Sequence, residues 1–154
     1  MDIFLQIITN SILLAGLLAW VIAQILKALT YLIVNRKFQF ERLFGDGGMP
    51  SGHSATVTSV AVMTGLQNGF DSGVFAVAAI LAIVVMHDAM GVRRETGKQA
   101  KAINEMQDFI NKMSGKELTD EEKLKEFVGH TPLQVVMGAI LGLAVGIVIH
   151  LITG

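Results

Sequence analysis

IFLQIITNSILLAGLLAWVIAQILKALTYLIV, residues 3–34, is apolar almost without interruption and decides the class of fold. About 20 apolar residues suffice to cross the hydrocarbon of a bilayer, and this stretch is far longer. As one helix at about 1.5 Å per residue it would measure about 48 Å. It must therefore tilt, break or project from the membrane. Lys27 is its only charge.

Working outward, residues 35–49 form a polar connector with Arg36, Lys37 and Arg42 and a glycine-rich end. Pro50 opens a second helix to about residue 66, rich in small and hydroxylic residues (Ser51, Ser54, Thr56, Thr58, Ser59, Thr64). Such a helix belongs inside a bundle rather than against lipid. After a short turn, residues 73–91 read as a strongly apolar third helix, with His87 and Asp88 near its end. Residues 93–129 are polar and partly helical. Ile103, Met106, Ile110 and Met113 recur there at helical spacing, and Thr119 and Glu122 fit a capping box. Thr131-Pro132 is an N-cap followed by proline at the first helical position, starting a last apolar helix over 131–152. Gly138, Gly142 and Gly146 line one face of it, a pattern suited to close helix contact. The expected fold is all-α: a single membrane domain over residues 1–154, a polytopic bundle of about four transmembrane helices with a partly helical cytoplasmic segment.

Composition agrees. Apolar residues make up 52% of the 154 and charged residues only 16%, against about 25% charged in a soluble domain. Mean hydropathy is +0.57. The net charge of −1 offers no general attraction to nucleic acid, so no nucleic-acid partner is expected. With no cysteine, disulfides and thiolate metal sites are excluded. Asp2 is the first charge and the apolar stretch outruns a signal core, so the N-terminus reads as a span rather than a cleaved leader.

Basic residues orient the bundle. Eleven of the twelve lie in the connectors 35–49 and 93–129, and the turn at 67–73 and both termini carry none. The positive-inside rule then puts both connectors in the cytoplasm and both termini outside the cell membrane. The second helix starts at the cytoplasmic level with Pro50-Ser51-Gly52-His53, the third ends there at Asp88 ahead of Arg93-Arg94, and the fourth starts there after His130. Helix N-termini offer unpaired N–H groups to anions, and arginine recognises phosphate in bidentate fashion. Ser51 adds a hydroxyl, and Gly52 lets a ligand approach the backbone. Two histidines supply acid, base or nucleophile near neutral pH. Each feature also has an ordinary structural reading. A histidine at a helix end can be a cap, a basic connector can set topology or touch anionic lipid, Lys27 can snorkel to the interface, and Asp88 can pair with Arg93 or Arg94.

The stretch Gly48-Met-Pro-Ser-Gly-His-Ser54 resembles the second signature of the type 2 phosphatidic acid phosphatase superfamily, which includes the vanadium-dependent haloperoxidases. His130-Thr-Pro-Leu-Gln-Val135 with Gly138 resembles the end of its third signature, with Gln134 where the superfamily has Asp. With Asp88-Ala-Met-Gly-Val-Arg-Arg94 and Gly97-Lys-Gln-Ala100, the whole chain looks like the divergent bacterial and plant branch. The resemblance implies that His130 is the nucleophile, forming a phosphohistidine, and His53 the general acid. Ser51, Gly52, Lys27 and Arg93 or Arg94 would hold the phosphate oxygens, while Asp88 and Gln134 orient. No metal or other cofactor is implied. The pattern departs from the superfamily elsewhere too: Val34 stands seven after Lys27 where Arg-Pro is expected, leaving Arg36 or Arg42 for that role, and Leu124 stands six before His130 where Arg is expected.

The function expected is a metal-independent membrane phosphatase acting on a lipid phosphate monoester or pyrophosphate. Alternatives from other classes are a non-catalytic lipid-phosphate or anion binding or transport protein, and a structural or regulatory membrane protein. Membrane lipids and a lipid phosphate are the expected partners, and the glycine face of the last helix leaves a homodimer open.

Overall fold

The computed structural model describes residues 2–36, 48–114, 123–124, 126 and 128–153. Among them are six helices: α1 (Ile3–Ile8), α2 (Ser11–Asn35), α3 (Gly52–Asn68), α4 (Gly73–Met90), α5 (Val92–Ser114) and α6 (Pro132–Thr153). The long N-terminal apolar stretch breaks at Thr9-Asn10. The Asn10 side chain accepts the Leu13 N–H at 3.0 Å and restarts the helix as the N-cap of α2. Asparagine competes with helical backbone for such bonds and so favours caps over helix interiors.

Three stretches are long and apolar enough to cross a membrane: Ser11–Ile33, Gly73–Met113 and Pro132–Thr153. The count of four spans is therefore approximate, and α3 is the helix that departs from the others. It packs against α2, α4 and α6. Being enclosed, it needs no lipid-compatible surface. Its buried positions are the small or hydroxylic Gly52, Ser54, Ala55, Ser59, Ala61, Thr64 and Gly65, together with Met63. Thr56 and Thr64 donate their hydroxyls to the carbonyls of Gly52 and Val60, which removes the cost of carrying them at membrane depth. Large apolar side chains point outward instead: Leu17 and Ile25 on α2, Val77 and Ile80 on α4, Ile140 and Ile147 on α6 are all exposed.

Backbone proximity holds the bundle. A methyl group at Gly138 or Gly142 would collide with the carbonyl oxygens of Ser51 and Ala55, and one at Gly146 would sit 3.1 Å from Val62 Cγ1. The glycine stripe of α6 is thus filled by α3 of the same chain. Where α2, α3 and α6 meet, Ala19 and Ala23 of α2 join Ala55 of α3 in a fully buried cluster, with Leu141 and Val145 of α6 packed against it.

The expected polar segment begins with α5, separated from α4 by Gly91 alone. The described residues 123, 124, 126 and 128–130 then return along α5. Asn104, 2% exposed, donates to the Leu124 carbonyl (2.9 Å) and the Glu126 carboxylate (2.8 Å) and accepts the Leu124 N–H (3.0 Å). Gly97 leaves room for the carbonyls of Glu126 and Val128, and Gly129, at φ +86°, lies against the backbone of Arg93 and Arg94. Lys123 pairs with Asp108 at 2.9 Å, and that hydrogen bond, followed by the carboxylate's charge, raises the Lys123 pKa. On the lysine side, a raised pKa means that the stabilisation is fully present below the ordinary lysine range and is lost only as pH climbs through the raised value. Arg42 and the Thr119–Glu122 capping box lie outside the described residues.

Candidate functional site

The return segment delivers His130 to the end of the bundle where α4 stops and α3 and α6 start. His130 is 2% exposed, and its N–H donates to the Ala89 carbonyl at 2.9 Å. His53 sits in the first turn of α3, half-buried. The two imidazoles, far apart in sequence, meet edge to face with ring centroids 5.9 Å apart and planes inclined by 61°.

Thr131 and Gln134 explain how the His130 ring is held. The Thr131 hydroxyl accepts the Gln134 N–H at 3.4 Å, and Gln134 Oε1 accepts the Thr131 N–H at 3.0 Å. That is a reciprocal capping box at the start of α6. It also fixes the amide: the atom facing the Thr131 N–H must be the oxygen. The same oxygen lies 3.3 Å from His130 Nδ1. An oxygen there requires Nδ1 to carry the proton, so the basic lone pair of the neutral ring is on Nε2. Gln134 therefore selects a tautomer as a carboxylate would, but supplies no charge to an imidazolium.

Ser51 caps α3 and is fully buried. Its Oγ accepts from the Ser54 N–H (3.3 Å) and the Ser54 hydroxyl (3.1 Å), and its own N–H donates to the Gln134 carbonyl (3.0 Å). The start of α3 and the first turn of α6 are thereby tied together. Gly52 packs toward Trp20 and Gln24 of α2. Lys27 does not snorkel outward. It is 4% exposed, with its alkyl chain against Gly48.

Beside His130 opens a cleft of about 400 Å³, whose lining includes Gly48, Arg94, Lys98, Lys101, Glu126 and Gln134. The two adjacent arginines diverge. Arg94 lines the cleft, whereas Arg93 donates from Nε to Asp88 at 2.7 Å on the exposed surface. Of the residues singled out in the sequence, His130, His53, Ser51, Gln134 and Arg94 gather at one end of the bundle. Arg93 and Asp88 pair beside it. Sequence reasoning missed Lys98, Lys101, Glu126 and the Asn104 clamp. Their signal was available in spacing: Arg94, Lys98 and Lys101 share one flank of a helix, and Gly97, Ala100 and Asn104 share another. Among the described residues no group of three or more His, Cys, Asp or Glu is placed to hold a metal ion.

The chain is similar to an uncharacterized membrane protein, YuiD, of Bacillus subtilis (strain 168), with 39% identity over 153 residues covering 94% of this chain and 97% of the relative. No solved structure matches it. Residues 8–145 match the Divergent PAP2 family, a span that takes in α2, α3, α4, α5, the return segment and most of α6. The histidine pair, the cleft and the helices that hold them all fall within that span, and the chain belongs to the Divergent PAP2 family.

Proposed function

We propose that the protein is a membrane phosphatase that releases phosphate from a lipid phosphate monoester or pyrophosphate without a metal ion, through a phosphohistidine on His130. The observation that carries this reading is the 5.9 Å approach of His53 to His130 beside a cleft lined by Arg94, Lys98 and Lys101. In-line transfer needs contacts of about 3–3.5 Å on either side of phosphorus, and a pair at this spacing is suited to flank it. His130 Nε2 attacks phosphorus, the bond from phosphorus to the lipid oxygen breaks, and protonated His53 gives that oxygen its proton. Neutral His53 then takes a proton from water as the water oxygen displaces Nε2. Inorganic phosphate leaves, and both histidines return to their starting states. The positive-inside distribution of the connectors supports a cytoplasmic site in the cell membrane with both termini outside.

The test is purified protein incubated with a panel of lipid phosphates in metal-free buffer. Phosphate release is expected, and His130→Ala and His53→Ala should each lower it by about 10²-fold or more. Vanadate, which adopts the trigonal-bipyramidal geometry of the transfer, should inhibit competitively. Absence of release, or release unchanged in both variants, removes the catalytic reading. The neutral Gln134 favours one alternative, in which the same site binds or transports a lipid phosphate or other phosphate anion without cleaving it. Tight headgroup binding with no turnover would decide for that.

A further inference from the structure

We infer that α5 is a membrane-surface helix whose apolar stripe sinks into the boundary between headgroups and acyl chains, with an anionic lipid surface as its occupant. Val92, Ile103, Met106, Ile110 and Met113 lie on one side of α5. Their exposure runs from 45% for Ile110 to 74% for Met113, and Phe109, at 62%, broadens the stripe. From Ile103 to Met113 the row is contiguous, and such a patch marks an interaction surface rather than the scatter of single apolar residues normal on a soluble face; between Val92 and Ile103 the same side carries Glu95, Thr96 and Gln99. The other side of α5 is already taken. Gly97, Ala100 and Asn104 are buried, and Gly97 and Asn104 hold the return segment.

Two features identify what covers the stripe. The first is continuity. Only Gly91 separates α5 from α4, whose outward residues Val77, Ile80, Ile83 and Val84 are 58–70% exposed and form part of the lipid-facing wall. Val92 carries that wall across the joint, and past the polar Glu95, Thr96 and Gln99 the apolar surface resumes at Ile103. The second is charge. α5 carries Arg93, Arg94, Lys98, Lys101 and Lys112 against Glu95, Glu105 and Asp108, a net excess of basic residues. A helix that is polar overall but strongly two-faced, with cations beside an apolar stripe, lies in a bilayer interface rather than spanning it. Basic side chains near such a surface are attracted to anionic lipid. Arg94, Lys98 and Lys101 lie on the flank between the stripe and the return segment, so a helix seated this way holds the cleft at headgroup height. The inference stands whether or not His130 turns over a substrate.

The chain has no cysteine, which permits a direct test on the full-length protein. Single variants Ile103→Cys, Met106→Cys and Met113→Cys on the stripe, and Lys101→Cys, Glu105→Cys and Lys112→Cys away from it, are spin-labelled at exposed positions that carry no bundle packing. They are reconstituted in phosphatidylcholine vesicles containing phosphatidylglycerol. Accessibility to oxygen is compared with accessibility to a water-soluble nickel chelate. Stripe labels should favour oxygen several-fold, and the other three should favour nickel. Nickel access that is equal on both faces would overturn the inference. So would stripe labels shielded from both probes and broadened by a second copy, since the stripe would then be a dimer face. Repeating the measurement in vesicles of phosphatidylcholine alone should raise nickel access at the stripe, and no change would refute the anionic component.

Discussion

At the residue scale, the two adjacent arginines offer the sharpest contrast. Arg94 lines the cleft beside His130, while the Arg93 guanidinium is committed to Asp88 on the open surface. Arg94→Ala should raise KM for a lipid phosphate about 10-fold or more, the scale of a lost charged hydrogen bond of about 1.5–3 kcal/mol. Arg93→Ala should leave KM near that of the parent and cost under about 1 kcal/mol of stability, because exposed ion pairs contribute little. Steady-state kinetics on both variants checks the pair. Gln134 has two tasks, capping α6 and holding His130 Nδ1. Gln134→Ala should cost about 1 kcal/mol through the lost cap, read as a lower melting temperature in detergent. It should also lower kcat more than it raises KM, since the ring loses the partner that selects its tautomer.

At the element scale, glycine and asparagine set the approach of whole segments. Gly142 meets the Ala55 carbonyl with no room for a side chain, so Gly142→Val must push α6 off α3. A cost of about 1–3 kcal/mol is expected, as for overpacked cores. Ile140→Ala, at a lipid-facing position, should cost clearly less by the same thermal assay. The return segment depends on Asn104. Asn104→Ala removes three hydrogen bonds, one of them to a carboxylate. The Leu124 amide should then exchange about tenfold faster or more, since even one such bond is worth about 1 kcal/mol. The amides of α3 should keep their protection, because the bundle does not rest on the segment. If α3 exchanges faster too, the segment is part of the bundle's own stability and not a separate clamp.

At the scale of the whole molecule, three lipid-facing stretches enclose a helix that carries hydroxyls instead of bulk. The proposed orientation can be checked on intact cells. Asp71→Cys in the α3–α4 turn should react with an impermeant maleimide, and Lys98→Cys should not; the reverse result would invert the topology. Much of this plan was legible in the sequence. Apolar length announced the spans, hydroxyl content set α3 apart, and Ile103, Met106, Ile110 and Met113 announced a helix that became α5. Those are properties of consecutive residues, and hydrophobic periodicity and capping report on them directly. The sequence alone also singled out Ser51, His53 and His130, because their motifs are local. Only the tertiary structure decided that His130 reaches His53 by a return along α5, that Arg94 rather than Arg93 lines the cleft, and that the α6 glycines serve α3. Those outcomes depend on which backbones can touch and on loops closing over long separations, and residue order alone does not specify either.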